Sequence, residues 1–313
     1  MTLINAVTMR LKRDYFRWQH SKVAARILTT PPVQRGDLPF LLLSMVQKRD
    51  VVSYLVAVKS FTHFLNPNRV VIVCDPSIDA DDRAMLKQHV PHVELRLADE
   101  FTEPRIPRGG TWERLYAITE YARDNYVIQL DADTVTTQPI PEVMAAVRSG
   151  KGFVLGEAVS TPVRSLAATR ERAEPLVKPG AHIQTLSEAA MATVGLPPGA
   201  QYVRGCSGFT GFPPSTELRS DMLNFSARMT DKLGEDWKRW GTEQVTSNYL
   251  AANANGTASL PFPKYGTPDL ETAETAFYHF IGSMRFVNGK YAARTREVIE
   301  LISQPQLAER KSA

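Results

Sequence analysis

The sequence predicts an α/β protein with a mostly parallel sheet flanked by helices. In the first half of the chain, short apolar runs typical of buried strands alternate with segments that have the apolar spacing of helices. The fourth of these apolar runs ends in two carboxylates, Asp131 and Asp133, one residue apart. Strands separated by helices pair in parallel through right-handed crossovers, so polar side chains at their ends gather at one edge of the sheet, where ligands bind.

The elements of the first half follow from local patterns. The predicted strands are 39–46, 69–74, 93–97 and 126–130, and the predicted helices are 50–65, 79–89 and 111–125. Helix 50–65 carries its apolar side chains on one stripe, and Asn66-Pro-Asn68 ends it. Helix 111–125 has the same kind of stripe and leads directly into the strand that precedes the two aspartates.

The alternation loosens beyond Asp133. We expect a helix at 141–149, a strand at 152–156, a helical or loop insertion at 159–200, a glycine-punctuated strand region at 201–212, helices at 221–233 and 243–253, and a last apolar piece at 276–281. The insertion contains several prolines and alanine-rich pieces without strand alternation, so we expect it to lie over the site rather than in the sheet.

Length and composition favour one large domain. The chain has 313 residues, of which 43% are hydrophobic and 22% charged, as in an ordinary soluble globular protein. We expect a single domain over 37–300, with a basic extension at 1–36 before it and a short tail at 301–313 after it. The net charge of +4 arises mostly in the extension, so the rest is nearly neutral and no nucleic-acid partner is expected.

The extension alternates basic residues with bulky apolar ones. Seven lysines and arginines stand there against one acid, Asp14. The larger apolar side chains include Leu11, Tyr15, Trp18 and Ile27. Two interpretations are open: an amphipathic helix attracted to anionic lipid, or a helix that packs on the domain and keeps its basic face in water. The proline-containing segment 29–37 is expected to be a linker.

Cysteine content and hydropathy bear on the compartment. Only two cysteines occur, Cys74 and Cys206, which argues against a disulfide scaffold and a cysteine-based zinc site and fits a reducing compartment. No apolar run reaches the length of about 18 residues that a transmembrane helix needs, and no signal peptide is evident. We therefore expect a cytoplasmic protein, which the basic extension would allow to contact the inner face of the membrane.

The two aspartates predict a metal site. Side chains alternate along a strand, so Asp131 and Asp133 should project to the same side. Two carboxylates so close repel each other unless a cation lies between them, and a hard divalent ion, Mn²⁺ or Mg²⁺, suits such ligands. The alternative is that the aspartates cap the turn after the strand.

The same aspartate motif also occurs in a different class of enzymes. Asp131-Ala-Asp133-Thr-Val135 matches the start of the haloacid-dehalogenase-like phosphatases, in which the first aspartate attacks phosphorus and the second acts as acid and base. That fold normally opens on this motif, whereas here three β/α units precede it. The position of the motif therefore disfavours the phosphatase.

Three further segments sharpen the interpretation. They are Arg114-Leu115 before the aspartate strand, Trp240-Gly-Thr-Glu-Gln244 well after it, and His279-Phe-Ile-Gly282-Ser-Met-Arg285 near the C-terminus. In this order with the Asp-x-Asp motif, they resemble the glycogenin and bacterial galactosyltransferase family of retaining GT-A-fold glycosyltransferases. The resemblance covers roughly 39–290, although only these short segments are specific.

The resemblance implies a fold and a set of roles. It implies a GT-A-type, Rossmann-like sheet with a nucleotide-binding half at about 37–138 and a mixed acceptor-side half at about 139–300. The metal ligands would be Asp131, Asp133 and His279. The donor-binding residues would be Arg114, Gly282 and Arg285, with Ser207 and Gly208 on the floor of the site. Glu243 or Gln244 would steady the positive charge that develops on the sugar.

The implied activity is metal-dependent transfer of a sugar from a nucleotide-diphosphate donor to a glycan or glycolipid hydroxyl, in the manner of bacterial surface glycan assembly. The chain departs from the family in having Arg285 in place of lysine and Glu243-Gln244 in place of Asp-Gln. The stretch 44–50 also lacks the family's base-binding residues, so the contacts to the base stay unassigned.

Several alternatives stay open. Retention is preferred, but Glu235-Asp236 resembles the pair of inverting enzymes, whose aspartate is the general base. A sugar-phosphate nucleotidyltransferase should have a glycine-rich loop after the first strand, and Gln47-Lys-Arg-Asp50 has no glycine. An inactive nucleotide-sugar-binding module of the same fold is the remaining alternative. Trp237 or Trp240 would either stack on a sugar or pack in the core.

Overall fold

The computed structural model describes residues 3–156 and 161–304, so the beginning of the predicted insertion and the end of the predicted tail lie outside the described residues. The first half alternates strands with helices, as the sequence predicts. Its strands are β1 (Leu38–Val46), β2 (Pro67–Cys74), β3 (Val93–Leu97) and β4 (Val127–Leu130). Its helices are α1 (Leu3–Ala24), α2 (Val51–Phe64), α3 (Ala80–His89) and α4 (Trp112–Tyr121).

The second half combines short strands with helices. The strands are β5 (Thr134–Thr136), β6 (Phe153–Gly156), β7 (Arg164–Ser165), β8 (Gln201–Tyr202), β9 (Gly205–Phe212), β10 (Ala258–Ser259), β11 (Tyr265–Gly266) and β12 (Phe277–His279). The helices are α5 (Pro141–Ser149), α6 (Leu166–Ala173), α7 (Ile183–Ala190), α8 (Leu218–Leu233), α9 (Thr242–Asn253) and α10 (Lys290–Ser303). The described part of the predicted insertion consists of α6, α7, the loops around them and the two-residue strand β7, which pairs with β8 and was not predicted.

The main sheet has seven strands in the order β10-β6-β9-β4-β1-β2-β3. Strands β3, β2, β1 and β4 run parallel to one another, whereas β9 is antiparallel to both β4 and β6. The prediction of a mostly parallel sheet with a mixed second half is therefore confirmed. The aspartate strand β4 lies between the parallel half and β9, so residues that follow β4 can meet side chains from both halves.

A second, three-stranded sheet in the order β11-β12-β5 completes the frame. Strand β12 pairs antiparallel with β5, and His279 lies opposite Thr134. Because β5 begins one residue after Asp133, this pairing brings the C-terminal part of the chain to the end of β4. The sequence does not reveal strands of two or three residues, since so short a segment carries no recognisable period.

The core lies on both faces of the main sheet. Along β1, Phe40 and Leu42 pack in one hydrophobic cluster, and Leu41 and Leu43 pack in the other. All four side chains are fully or almost fully buried. An apolar strand without polar alternation is what a sheet covered by helices on both faces requires.

The N-terminal extension is docked on the domain over its second half. The ring of His20 stacks on Tyr291 of α10 with 3.7 Å between ring centroids, and Val23 and Ala24 are buried. The predicted linker is packed rather than free: the Lys59 ammonium donates to the carbonyl oxygen of Thr30 at 3.1 Å and to its hydroxyl at 2.8 Å. Extension and domain therefore share one packed interface.

The contact of His20 with Tyr291 should make stability depend on pH. Burial lowers the pKa of His20 from 6.5 to about 3, with a smaller contribution from Arg285. Since the unfolded chain takes up this proton below its ordinary pKa, the contribution is present above pH 6.5 and is lost on acidification. Between pH 7 and pH 5 we expect this group to remove about 2 kcal/mol of the free energy of unfolding.

Urea unfolding of the wild type and of His20→Phe at both pH values measures this loss. Phenylalanine keeps a ring against Tyr291 but cannot be protonated, so the variant should lose less stability on acidification. An equal loss in the two proteins would contradict the prediction.

Candidate functional site

The turn after β4 is fixed by strands from two sheets. The Asp131 amide donates to the carbonyl of Gly208 in β9 at 2.9 Å, and the Phe280 amide, just after β12, donates to the carbonyl of Asp133 at 2.9 Å. The Thr134 hydroxyl closes the turn by donating to the carbonyl of Asp131 at 2.9 Å. The backbone that carries the two carboxylates is thus held on both sides.

Asp131, Asp133 and His279 form a compact set of potential metal ligands. One ligand atom from each lies within 4.8 Å of the others. His279 Nε2 is 3.1 Å from Asp133 Oδ1 and 3.7 Å from Asp131 Oδ2. Two carboxylate oxygens and an imidazole nitrogen suit a divalent cation such as Mn²⁺. The three residues that the sequence predicted as ligands are therefore brought together.

Gly208 makes room for the imidazole. A Cβ at this position would lie 2.1 Å from His279 Cε1 and 2.6 Å from Nε2, closer than atoms can approach. The Nδ1 atom of His279 is 3.3 Å from the sulfur of Cys206. The strand β9 therefore positions His279 through one glycine and one thiol.

Arg285 connects the ligand set to the end of β1. Its guanidinium donates to Asp133 and, at 2.8 Å, to Asp50 Oδ1. Asp50 is buried at the start of α2 and was not among the predicted site residues. Its position just after the first buried strand, whose carboxyl end lies beside that of β4, is the signal that would have found it.

Arg114 neutralises the other aspartate. It donates to Asp131 and, at 3.1 and 3.2 Å, to the two carboxylate oxygens of Glu243. The side chains of Arg114 and Glu243 are only 4% and 3% exposed. Glu243 thus lies behind Arg114 in a buried ion pair, and its second oxygen accepts a hydrogen bond from Thr111 at 3.0 Å.

The surroundings move the pKa values of the two aspartates in opposite directions. Burial raises the pKa of Asp131, and the neighbouring Asp133 adds to this effect while Arg114 opposes it. Burial also opposes ionisation of Asp133, but His279 and Arg285 outweigh it and lower its pKa. Asp133 is therefore the more firmly ionised member of the pair.

The cluster has more carboxylates than guanidiniums. Asp50, Asp131, Asp133 and Glu243 face Arg114 and Arg285, and the largely exposed Arg49 also lies 3.6 Å from Asp50. The residues therefore fit a divalent cation by ligand type, and such a cation would offset the remaining negative charge.

Solved structures share this architecture. The bifunctional glycosyltransferase WbbM aligns with a TM-score of 0.52 and 14% identity over 86% of this chain and 51% of that chain. An active-site mutant of the galactosyltransferase LgtC aligns with a TM-score of 0.50 and 10% identity over 85% of this chain and 98% of that chain. The chain has a GT-A glycosyltransferase fold. It spans about half the length of WbbM, and no protein-family model or curated protein sequence matches it.

Within this GT-A domain, the other predicted residues occupy different surroundings. Ser207 is buried, with its hydroxyl 3.4 Å from Glu243. The Gln244 amide nitrogen is 3.5 Å from the side-chain oxygen of Gln184 in α7, so this side chain turns toward the insertion. Gly282 is exposed, and a Cβ there would meet nothing within 4 Å. Its predicted role, close approach of a donor, stays a prediction.

The pair considered for inversion lies on the surface. Glu235 forms an ion pair with Lys238 at 2.8 Å, and Asp236 forms one with Arg239 at 3.4 Å. Both carboxylates are more than half exposed. The buried carboxylates of the GT-A domain around β4 are instead those paired with Arg114 and Arg285.

Replacing Arg114 should unbalance the buried charges. Arg114→Met leaves Glu243 and Asp131 without their cation, so we expect the free energy of unfolding to fall by about 3–5 kcal/mol. Adding Glu243→Gln should restore part of this loss, because the amide removes one of the uncompensated charges. Urea unfolding of the single and double variants measures both effects.

Arg108→Met is the matched control, since Arg108 pairs with Asp99 at 3.0 Å but both side chains are more than 70% exposed. It should cost less than about 1 kcal/mol. Equal losses in Arg108→Met and Arg114→Met would contradict the importance of the buried pair.

Proposed function

We propose that this protein is a glycosyltransferase that moves a sugar from a nucleotide-diphosphate sugar to an acceptor hydroxyl. The observation that carries the proposal is the cluster at the carboxyl end of β4, in which the Asp131, Asp133 and His279 ligand set is flanked by Arg114 and Arg285. Two cations beside a divalent-metal ligand set suit a diphosphate. The GT-A fold gives this combination its context.

We assign to Arg285 the role of binding the diphosphate of the donor. Without a donor its charge is balanced by Asp50 and Asp133. Its planar guanidinium offers a fork of donors that suits two phosphate oxygens, which the lysine of the family cannot offer. Mn²⁺ or Mg²⁺, held by Asp131, Asp133 and His279, would supply further stabilisation of the negative charge on the leaving diphosphate.

The transfer breaks the bond between the anomeric carbon and the diphosphate oxygen and forms a bond from that carbon to the acceptor oxygen. The leaving diphosphate takes the electron pair of the broken bond and accepts the proton that the acceptor hydroxyl loses. We assign to Gln244 the role of stabilising the positive charge that develops on the sugar. The neighbouring carboxylate of Glu243 is less suited to this role, because it already forms an ion pair with Arg114. We expect the sugar to keep its anomeric configuration. An inverting enzyme needs a carboxylate as general base, and the candidates for that role, Glu235 and Asp236, are exposed and form ion pairs with Lys238 and Arg239.

Asp133→Asn tests the donor site. Thermal shifts are measured with a panel of nucleotide-diphosphate sugars, with and without Mn²⁺. The wild type should be stabilised by at least one donor only when the metal is present, and Asp133→Asn should lose this stabilisation. With a working acceptor, the transfer rate should fall by about 100-fold or more, because binding and charge stabilisation both suffer.

Asp99→Asn is the control, because Asp99 is exposed and pairs only with an exposed arginine among its described contacts. A wild type that no donor stabilises in a metal-dependent way would contradict the proposed function. Hydrolysis of simple phosphate monoesters that depends on Asp131 would favour the phosphatase instead.

We also propose that α1 contacts an anionic membrane surface. Leu11, Tyr15 and Trp18 lie on one stripe of the helix, and each is more than half exposed. The basic residues around this stripe are Arg10, Lys12, Arg13, Arg17 and Lys22. One acid, Asp14, opposes them and pairs with Arg17 at 3.4 Å. An apolar stripe flanked by cations suits the interface of an anionic bilayer.

This surface contact would place the protein beside a lipid-linked acceptor. The docked end of α1 packs against the segment that follows Arg285: the Arg17 guanidinium lies 5.4 Å from the centroid of the Phe286 ring. None of the helices within 3–156 and 161–304 combines the length and apolar character that crossing a bilayer requires. The membrane contact proposed here is therefore that of a helix lying on the surface.

Vesicle cosedimentation tests the contact. The protein should sediment with vesicles of phosphatidylcholine and phosphatidylglycerol more than with phosphatidylcholine alone, and added salt should weaken the effect. The double variant Leu11→Gln and Trp18→Gln should bind less. Leu97→Gln, at an exposed leucine outside α1, should bind like the wild type. Equal binding by all three proteins, or binding that ignores lipid charge, would contradict the proposal.

A further inference from the structure

Two tryptophans of one segment have opposite surroundings. Trp237 is buried, donates its indole N–H to the hydroxyl of Ser226 at 3.1 Å and packs edge-on against Trp112. Trp240, three residues later, is 75% exposed. Trp237 therefore packs in the core, whereas core packing does not explain the presence of Trp240 at the surface.

The backbone around Trp240 is held in place. Gly241 follows it with φ 103°, and the facing turn contains Gly109, Gly110 and Thr111 with φ of 76°, 57° and 74°. Among the residues described, Thr111 is the only residue other than glycine with a positive φ. Such a backbone is strained for a β-branched residue and persists only where its surroundings enforce it.

Hydrogen bonds join these two turns to the buried ion pair. The Thr111 hydroxyl donates to Glu243 at 3.0 Å, and the Trp112 indole donates to the hydroxyl of Thr242 at 3.1 Å. Cδ1 of Trp240 lies 3.8 Å from the position that a Cβ on Gly110 would occupy. The exposed indole therefore stands directly above the turns that hold Arg114 and Glu243.

The insertion also contacts the turn at Gly241. The ring of His182, at the start of α7, lies 3.4 Å from the position of a Cβ on Gly241, and His182 is exposed. Arg239 ties the two segments together by donating to the carbonyl of Ala181 at 3.2 Å. The ring of His182 and the backbone that carries Trp240 thus meet at Gly241, and both side chains are exposed to solvent.

The position of Trp240 indicates which substrate it would meet. A continuous series of polar contacts crosses the site. It begins at Asp50 and Arg285, passes through the metal-ligand set, and ends at Arg114, Glu243 and Thr111. Asp50 lies at the end of β1, where an open α/β sheet holds its nucleotide. Trp240 stands at the other end of this series, beyond Glu243, on the side left for the acceptor.

We propose that Trp240 is a platform on which a pyranose ring of the acceptor stacks, with His182 as a polar neighbour for its hydroxyls. This inference rests on the proposed function and names the acceptor as a saccharide, free or lipid-linked. The C–H face of a sugar ring is apolar and its edge is polar, so an aromatic face beside a hydrogen-bonding ring matches both. The hydrogen-bonded turns fix the backbone that carries the indole before the ligand arrives, which lowers the cost of binding.

Saturation-transfer NMR tests the proposal with the full chain. The probes are the methyl glycosides of glucose, galactose, mannose and N-acetylglucosamine, together with lactose. The wild type should transfer saturation to the ring protons of at least one probe. In Trp240→Ala the affinity for that probe should fall about tenfold, and Trp240→Phe should recover part of it. Leu97→Ala, at an exposed leucine of the edge strand β3, should bind like the wild type.

Donor binding separates the outcomes. Metal-dependent stabilisation by the nucleotide-diphosphate sugar should be the same in Trp240→Ala and the wild type, and both should melt alike without ligand. Absence of saccharide binding by the wild type, or unchanged binding by Trp240→Ala, would overturn the platform even if the donor experiment succeeds. Loss of nucleotide affinity in Trp240→Ala would overturn it in favour of stacking on the base. Failure of the wild type to bind any donor would instead contradict the proposed function.

Discussion

Two aspartates at the end of a buried strand can be ionised only if their charge is balanced nearby, and this requirement shapes the surroundings of β4. Arg114 meets Asp131, and Arg285 meets Asp133. Each arginine is in turn held by a second carboxylate, Glu243 or Asp50. Removing one member would leave an uncompensated buried charge, so these groups act as one unit. The carboxylate and imidazole ligands of this unit are what make a divalent cation a fitting partner.

The architecture meets this requirement by joining elements that are distant in sequence. Strand β9 runs antiparallel beside β4 and contributes Gly208, the position at which any side chain would collide with His279. The pairing of β12 with β5 then delivers His279 to Asp133. The mixed second half of the sheet is therefore as important for the site as the parallel half, because it supplies the third ligand and the space in which its ring lies.

The cluster also gives the site a direction. Asp50 and Arg285 lie at the end nearest β1, and the segment after Arg285 packs against the docked end of α1. Glu243, Thr111 and the exposed ring of Trp240 lie at the other end. The donor that we propose would occupy the first region and the acceptor the second, with Arg114 between them. The membrane contact that we propose for α1 would lie at the donor end of this cluster.

The sequence by itself determined the alternation of strands and helices, the fold class and the position of Asp131 and Asp133 at the end of a buried strand, because apolar periods report local structure and chain order. The approach of His279 and Arg285 to these aspartates was expected only from the family resemblance. Only the tertiary structure decided that Asp50 joins Arg285, that Glu243 is neutralised by Arg114, and that Trp237 is buried while Trp240 is exposed. It also decided that segment 29–37 is packed against Lys59 rather than free. These features arise from pairing between residues far apart in the chain, which local spacing does not encode.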